Sequence, residues 1–366
     1  MTIQPQTGSR NRAGEPEEYA RMLHELADAS VERHFSPYDD VDWDAADLQI
    51  RLDDPRWILP EFDPLGGHPW YQALPKDRQI AIGLYRQANT ARVGLQFEQL
   101  LIAGFMVYLN RLPNGSAEFR YATHEVIEEC NHTLMFQEAV NRSGVDAPGF
   151  GPLFTAFSPL VALFPRISAP FFFMCVLAGE EPIDHIQKEY LRSDAGYHPM
   201  LASVMRIHVA EEARHISFAH EFLRRRVPKC SPAQRFLLSL AFSVALRVAC
   251  DLIVIPPAAF WREFDVPRSV RRDLFWGWPS SKARLSGYFG DVRMLAEEIG
   301  VLNPVSRKLW RVLGIDGRAS RHRGEPGRAP RPPPPGGDPR GAGDGRRCAH
   351  CVLVVCWQCS RSLIRC

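Results

Sequence analysis

Two stretches of this chain repeat one four-residue pattern, Glu129-Cys130-Asn131-His132 and Glu212-Ala213-Arg214-His215, and each sits in a long run that is apolar at helical spacing. Side chains three apart on a helix point the same way, so each pattern presents a carboxylate and an imidazole on one face. Two further long helical runs each carry a carboxylate in an apolar setting. Glu98 has Leu95, Leu101, Ile102 and Phe105 around its face, and Glu180 follows the run from Phe171 to Leu177. Carboxylates buried without counter-ions would each cost several kcal/mol. Any fold that buries these four faces must therefore bring the carboxylates together around cations or keep them protonated.

The runs are Lys76 to Asn110, Phe119 to Arg142, Phe171 to Arg192 and Met200 to Arg226, separated by turn signals at Leu112-Pro113-Asn114-Gly115, Asp146-Ala147-Pro148-Gly149 and Gly196-Tyr197-His198-Pro199. Further helices are predicted over Pro16 to His34, Ser231 to Ile255, Val266 to Phe275, Gly290 to Gly300 and Pro304 to Leu313, and Phe35 to Pro75 reads as an irregular segment wrapping over a core. No stretch alternates with period two, so the fold class is all-α. In chain order the ligand candidates run Glu98, Glu129 with His132, Glu180, Glu212 with His215, which is the ligand order of ferritin-like dimetal carboxylate bundles. A ferritin-like four-helix bundle core with additional helices is therefore expected.

Two divalent ions balance four carboxylates and leave the imidazoles neutral, and iron or manganese suits such a mixed oxygen and nitrogen shell. Glu128 precedes Glu129, Glu181 follows Glu180 and Glu211 precedes Glu212; a helix turns ~100° per residue, so one of each pair is expected to face the core. The repeated spacing selects Glu129 and Glu212, while Glu180 against Glu181 stays open, with Pro182 next to them as a kink site. His208, four residues before Glu212, extends that stripe and adds a third imidazole, expected at the same metal position as His215.

The 366 residues carry a formal charge of +2, which leaves no basic footprint for nucleic acid. That figure hides an asymmetry, since residues 316 to 366 hold ten Arg and four acidic residues, a tail of +6 beside a body of −4. Three regions follow: a disordered N-terminus over 1–16, a helical domain over 17–315, and an Arg/Pro/Gly/Cys-rich tail over 316–366 expected to be disordered. In the tail, Cys348-x2-Cys351 and Cys356-x2-Cys359 are closer together than the pairs of usual zinc sites, and no metal is assigned to them. The polar N-terminus has no signal-peptide core, which points to the cytoplasm. Phe236 to Ile255 is apolar enough to suggest a membrane span, but Arg247 and Asp251 interrupt it at i,i+4, favouring a buried bundle helix and no membrane.

The seven residues Glu98, Glu129, His132, Glu180, His208, Glu212 and His215, with His-x3-Glu-x2-His on the last helix, make the chain resemble the arylamine N-oxygenases typified by p-aminobenzoate N-oxygenase, from His68-Pro69 to about Asp316. The resemblance implies a diiron site of four Glu and three His, O2 as co-substrate, oxygen transfer to an arylamine or similar small molecule, and an external electron donor such as a ferredoxin or a reductase. The chain has no G-x-G-x-x-G fingerprint of its own for a dinucleotide. A homodimer is also expected. Competing expectations are a diiron hydroxylase or desaturase on an acyl or carrier-bound substrate, whose minimal pattern lacks His208, and a ferritin-like iron-handling protein. The polar groups with which the family holds a substrate carboxylate are not matched; Arg92 is as readily a surface residue, and the Phe-, Leu- and Pro-rich stretch from Gly149 to Phe172 reads either as pocket lining or as core packing.

Overall fold

Three of the long helices open on a side-chain cap that the sequence supplies. α1 spans Glu17–Glu32, α2 Lys76–Leu109, α3 Ala117–Ser143, α4 Ala169–Arg192 and α5 Pro199–Arg226. The Ser116 hydroxyl accepts the amide of Phe119 to open α3, and Gly144, at φ 65°, closes it in the left-handed region that a side chain would strain. The Ser168 hydroxyl caps α4 in the same way through Phe171 N. α6, Pro232–Val254, opens on a capping box between Ser231 and Gln234; α7, Gly290–Glu298, and α8, Pro304–Leu313, follow after short helices at Ala258–Glu263, Arg268–Asp273 and Pro279–Gly287. This computed structural model describes residues 17–193 and 196–318, which lie within one compact unit, Met1–Arg323. The N-terminal 16 residues and the Cys348, Cys351, Cys356 and Cys359 pairs lie outside the described residues, and among those described there is no strand.

α2 packs along α3, α4 along α5 and α6, and α3 against α5. The connection from α3 to α4 is long, and it contains helical turns at Pro152–Phe157, Ser158–Leu163 and Phe164–Ile167, too short and too rich in Pro for periodicity to announce. The core of the bundle is layered. At one end Phe105 and Tyr108 of α2, Phe173 of α4 and Phe218 and Phe222 of α5 interlock edge to face or stacked, with Phe173 on Phe222 at 4.0 Å between centroids. At the other end Gln87 of α2 accepts from Tyr197 at 2.8 Å and donates to Tyr190 at 3.0 Å. The acidic and imidazole side chains fill the layer between.

The segment before α2 wraps over the bundle as expected, with short helical turns at Pro55–Trp57 and Pro69–Gln72. Trp57 is buried and stacks on His198 at 4.3 Å, and the Tyr71 hydroxyl accepts from Leu59 N and donates to Gln79 O. Gly83 lets this strap approach: a Cβ there would lie 1.7 Å from the Trp57 carbonyl oxygen. His68 caps the second turn through Nδ1, which accepts from Trp70 N.

α6 differs from the expectation of a buried helix. One face, with Phe242, Leu246 and Ile253, is in the core, while Leu237, Val244 and Val248 on the other are exposed, because the helix covers α4 from one side only. By length and composition it is the one described helix that could cross a membrane, a property that core helices share. Its Arg247 and Asp251 do pair, at 2.9 Å, and each has a further partner, Leu313 O for the guanidinium and Trp276 Nε1 for the carboxylate.

Candidate metal centre

All seven sequence-selected residues meet in the middle layer, none more than 5% exposed. They form two overlapping groups. Glu98, His132, His208 and Glu212 offer one ligand atom each within 4.8 Å of one another, and so do Glu129, Glu180, Glu212 and His215. Glu212 belongs to both. The expectation that His208 shares a metal position with His215 is corrected here: His208 stands beside His132, 4.6 Å between ring centroids, with Nε2 3.3 Å from Glu98. The reason is axial, since seven residues separate His208 from His215, about 10 Å along a helix, so they flank Glu212 on opposite sides.

The two adjacent carboxylates on α4 part ways geometrically. Glu180 points into the second group, whereas Glu181 turns to His220 at 2.6 Å and towards His185. α4 runs unbroken through Pro182.

The other expectation about adjacent carboxylates fails. Glu128 and Glu211 are buried as well, and they cross between helices: Glu128 of α3 lies 2.8 Å from His215 Nε2 on α5, and Glu211 of α5 lies 2.8 Å from His132 Nε2 on α3. Arg214 holds both carboxylates from the rim, 2.7 Å from Glu128 and 3.6 Å from Glu211. Burial would raise Glu128, but His215 and Arg214 bring it down to about 2, so it accepts and the Nε2–H donates. That fixes the tautomer and leaves Nδ1 of His215, 2.9 Å from Glu129, and Nδ1 of His132, 3.1 Å from Glu129, turned to the centre. A further carboxylate of the layer, Glu125, one turn before Glu129, is fully buried with no hydrogen-bond partner on either oxygen. Its signal was present in the spacing Glu125, Glu129, His132, which lies on one helix face.

The donor chemistry fits two divalent cations. Burial, followed by the neighbouring carboxylates, holds Glu98 and Glu180 well above the ordinary carboxylate range. Burial works against a charged His132, yet its hydrogen bonds to Glu129 and Glu211 raise it to about 10; His208, where burial dominates, falls to about 4. Both Glu180 oxygens and Glu212 Oε2 have no hydrogen-bond partner. Protons thus stand in for the positive charge that cations would supply at a set of four carboxylates and three imidazoles.

A sequence model of the family described as p-aminobenzoate N-oxygenase AurF matches residues 16–300. The chain belongs to that family. Uncharacterized proteins of Mycobacterium bovis and of Mycobacterium tuberculosis are 54% identical to it over 311 residues, 85% of this chain and 92% of each relative. Membership gives the all-α ferritin-like diiron bundle and an oxygenase as the broad class, with a small-molecule substrate and an electron donor.

Within this N-oxygenase family member, Arg92 donates to Gln137 at 3.1 Å and is not in the lining of the three cavities nearest the centre. The stretch from Gly149 to Phe172 does line one. Phe154, Val161, Phe164 and Phe171 face a cavity of about 630 Å3 whose opposite wall is α6.

Proposed function

We propose that this chain is a non-haem diiron oxygenase that oxidises an amine, with Glu98, Glu129, His132, Glu180, His208, Glu212 and His215 as the iron ligands. The observation that supports it best is the pair of ligand groups sharing Glu212, with His208 as the third imidazole beside His132. Bound iron would supply the Lewis acidity and relay the donor's electrons with which O2 is activated. Four carboxylates neutralise two ferrous ions, and Glu128 and Glu211 keep the imidazoles in the tautomer that ligates. The aromatic layer of Phe173, Phe218 and Phe222 keeps water from that end of the site. The net reaction is R–NH2 + O2 + 2 H+ + 2 e− → R–NHOH + H2O, the electrons coming from an external ferredoxin or reductase. A second reading, hydroxylation of an acyl or carrier-bound substrate, draws on the apolar lining of the 630 Å3 cavity.

The test is metal analysis followed by turnover. Protein reconstituted anaerobically with Fe(II) should hold two irons per chain, and after reduction and exposure to O2 with arylamines it should yield hydroxylamine, nitroso or nitro products. Full iron in Glu129→Ala would remove the ligand assignment, and oxygen found only on carbon would favour the second reading.

A further inference from the structure

Three cavities meet around the ligand layer. The inner one, about 30 Å3, is bounded by Glu98, Glu180 and His208, and it has room for a small group only. It shares Phe97, Leu101 and Cys175 with the outer cavity of about 630 Å3, so the two meet along one wall. It shares Thr90, Gly94 and Phe136 with a cleft of about 50 Å3 on the opposite side. Of these three, the outer cavity alone falls within the ~300–1,000 Å3 range of ligand-sized pockets.

The linings differ in what they can bind. Every residue around the outer cavity is apolar, from Phe154 and Phe164 on one side to Leu240, Val244 and Leu252 on the other, and none offers a charge. An ionised group placed there would lose its hydration without a partner. The small cleft has one Lys or Arg, Arg86, and that guanidinium is already engaged by Asp63 at 2.9 Å and Val254 O at 2.9 Å. No Lys or Arg in the three linings is thus free to pair with a substrate carboxylate, and the outer cavity that adjoins the inner one is lined by apolar side chains alone. Of its lining residues Leu237, Val244 and Val248 of α6 are exposed.

We propose that the substrate is an amine carrying an extended, uncharged apolar chain, which lies in the outer cavity between α6 and the Pro152–Ile167 segment while the amine reaches Glu98, Glu180 and His208 past Phe97 and Cys175. The inference rests on the oxygenase reading only for the amine head; the chain-binding site stands on the cavity itself. A small benzoate with a charged carboxylate is the class this site disfavours.

The test compares aniline, 4-butylaniline, 4-hexylaniline and p-aminobenzoate by calorimetric titration of the iron-loaded protein without O2. Affinity should rise about fourfold per methylene until the cavity is filled, and p-aminobenzoate should bind more weakly than aniline. Ala241→Trp places an indole in the cavity, and Val248→Trp does so at its exposed mouth, where the fold has little to lose. Both should weaken 4-hexylaniline at least tenfold, leave aniline unchanged and retain wild-type iron content. Affinity independent of chain length, tightest binding of p-aminobenzoate, or indifference of both tryptophan variants to the chain would overturn the proposal. Chain-dependent binding with no N-oxygenated product on adding O2 and reductant would leave the site standing and remove the amine reading instead.

Discussion

Glu128 on α3 accepts a hydrogen bond from Nε2 of His215 on α5 at 2.8 Å, and the same relation holds in reverse between Glu211 on α5 and His132 on α3. Each of the two helices thus supplies an imidazole to the centre and a carboxylate that orients the other helix's imidazole. The pairing is buried, and Arg214 neutralises part of its charge.

Weakening that orientation should be felt at the metal before it is felt in the fold. Glu128→Gln keeps the side chain's size and an acceptor oxygen but loses the negative charge that makes Nδ1 of His215 a better donor. Iron affinity is expected to fall about 10- to 100-fold, read by competition with a chelator, with helical content unchanged. Glu211→Gln should do the same through His132. Wild-type affinity in both variants would mean that the cross-helix pairs are only packing.

The two ligand groups make the imidazoles separable. His132→Ala and His208→Ala act on the same group, so each should disturb one iron and the double variant should lose little more than either single change. His215→Ala should disturb the other iron. Iron content and the Mössbauer signals of the two sites report the difference. If His208→Ala instead matched His215→Ala, the grouping would be wrong.

Proton uptake links this site to stability. Without metal, His132 is held up to about 10 and His215 is also raised, so the folded protein keeps protons that the unfolded chain releases near ~6.5. The stability these groups contribute is fully present below ~6.5 and is lost as pH rises through their folded values. Raised Glu98 and Glu180 act in the same direction, beginning above ~4.5. The Tm of metal-free protein should therefore fall between about pH 6 and about pH 9. Iron needs the deprotonated ligands, so the Tm gain on anaerobic Fe(II) addition should grow over the same interval. A metal-free Tm that rises with pH would contradict this account of the layer.

The strap over α2 gives a stability test away from the centre. Gly83→Ala puts a methyl group where the Trp57 carbonyl oxygen lies 1.7 Å away, so helix and strap must separate. Denaturant unfolding should show a loss of about 1–3 kcal/mol or more, with iron content preserved, because Gly83 is four turns of α2 from Glu98. An unchanged midpoint would mean that the strap yields without cost.

The bundle and the buried cluster of candidate ligands were legible in the sequence because helical periodicity is local. Lys76 to Asn110 and Met200 to Arg226 bury one stripe each, and Glu98, Glu129, Glu180 and Glu212 lie on those stripes among apolar neighbours, where only a compensated charge is tolerable. What periodicity cannot encode is which helix lies opposite. One of two adjacent glutamates was expected to face solvent, as it would on an isolated helix, but α3 and α5 face each other closely enough that Glu128 and Glu211 each find the other helix's histidine. The same limit hid the grouping of His208 with His132, since a stripe along one helix says nothing about its height against another. The sequence alone determined that four carboxylates and three imidazoles would be buried together. Tertiary packing decided which of them stand in one group, which orient their neighbours, and that an apolar cavity adjoins them, because distances between helices are set by side chains far apart in the chain.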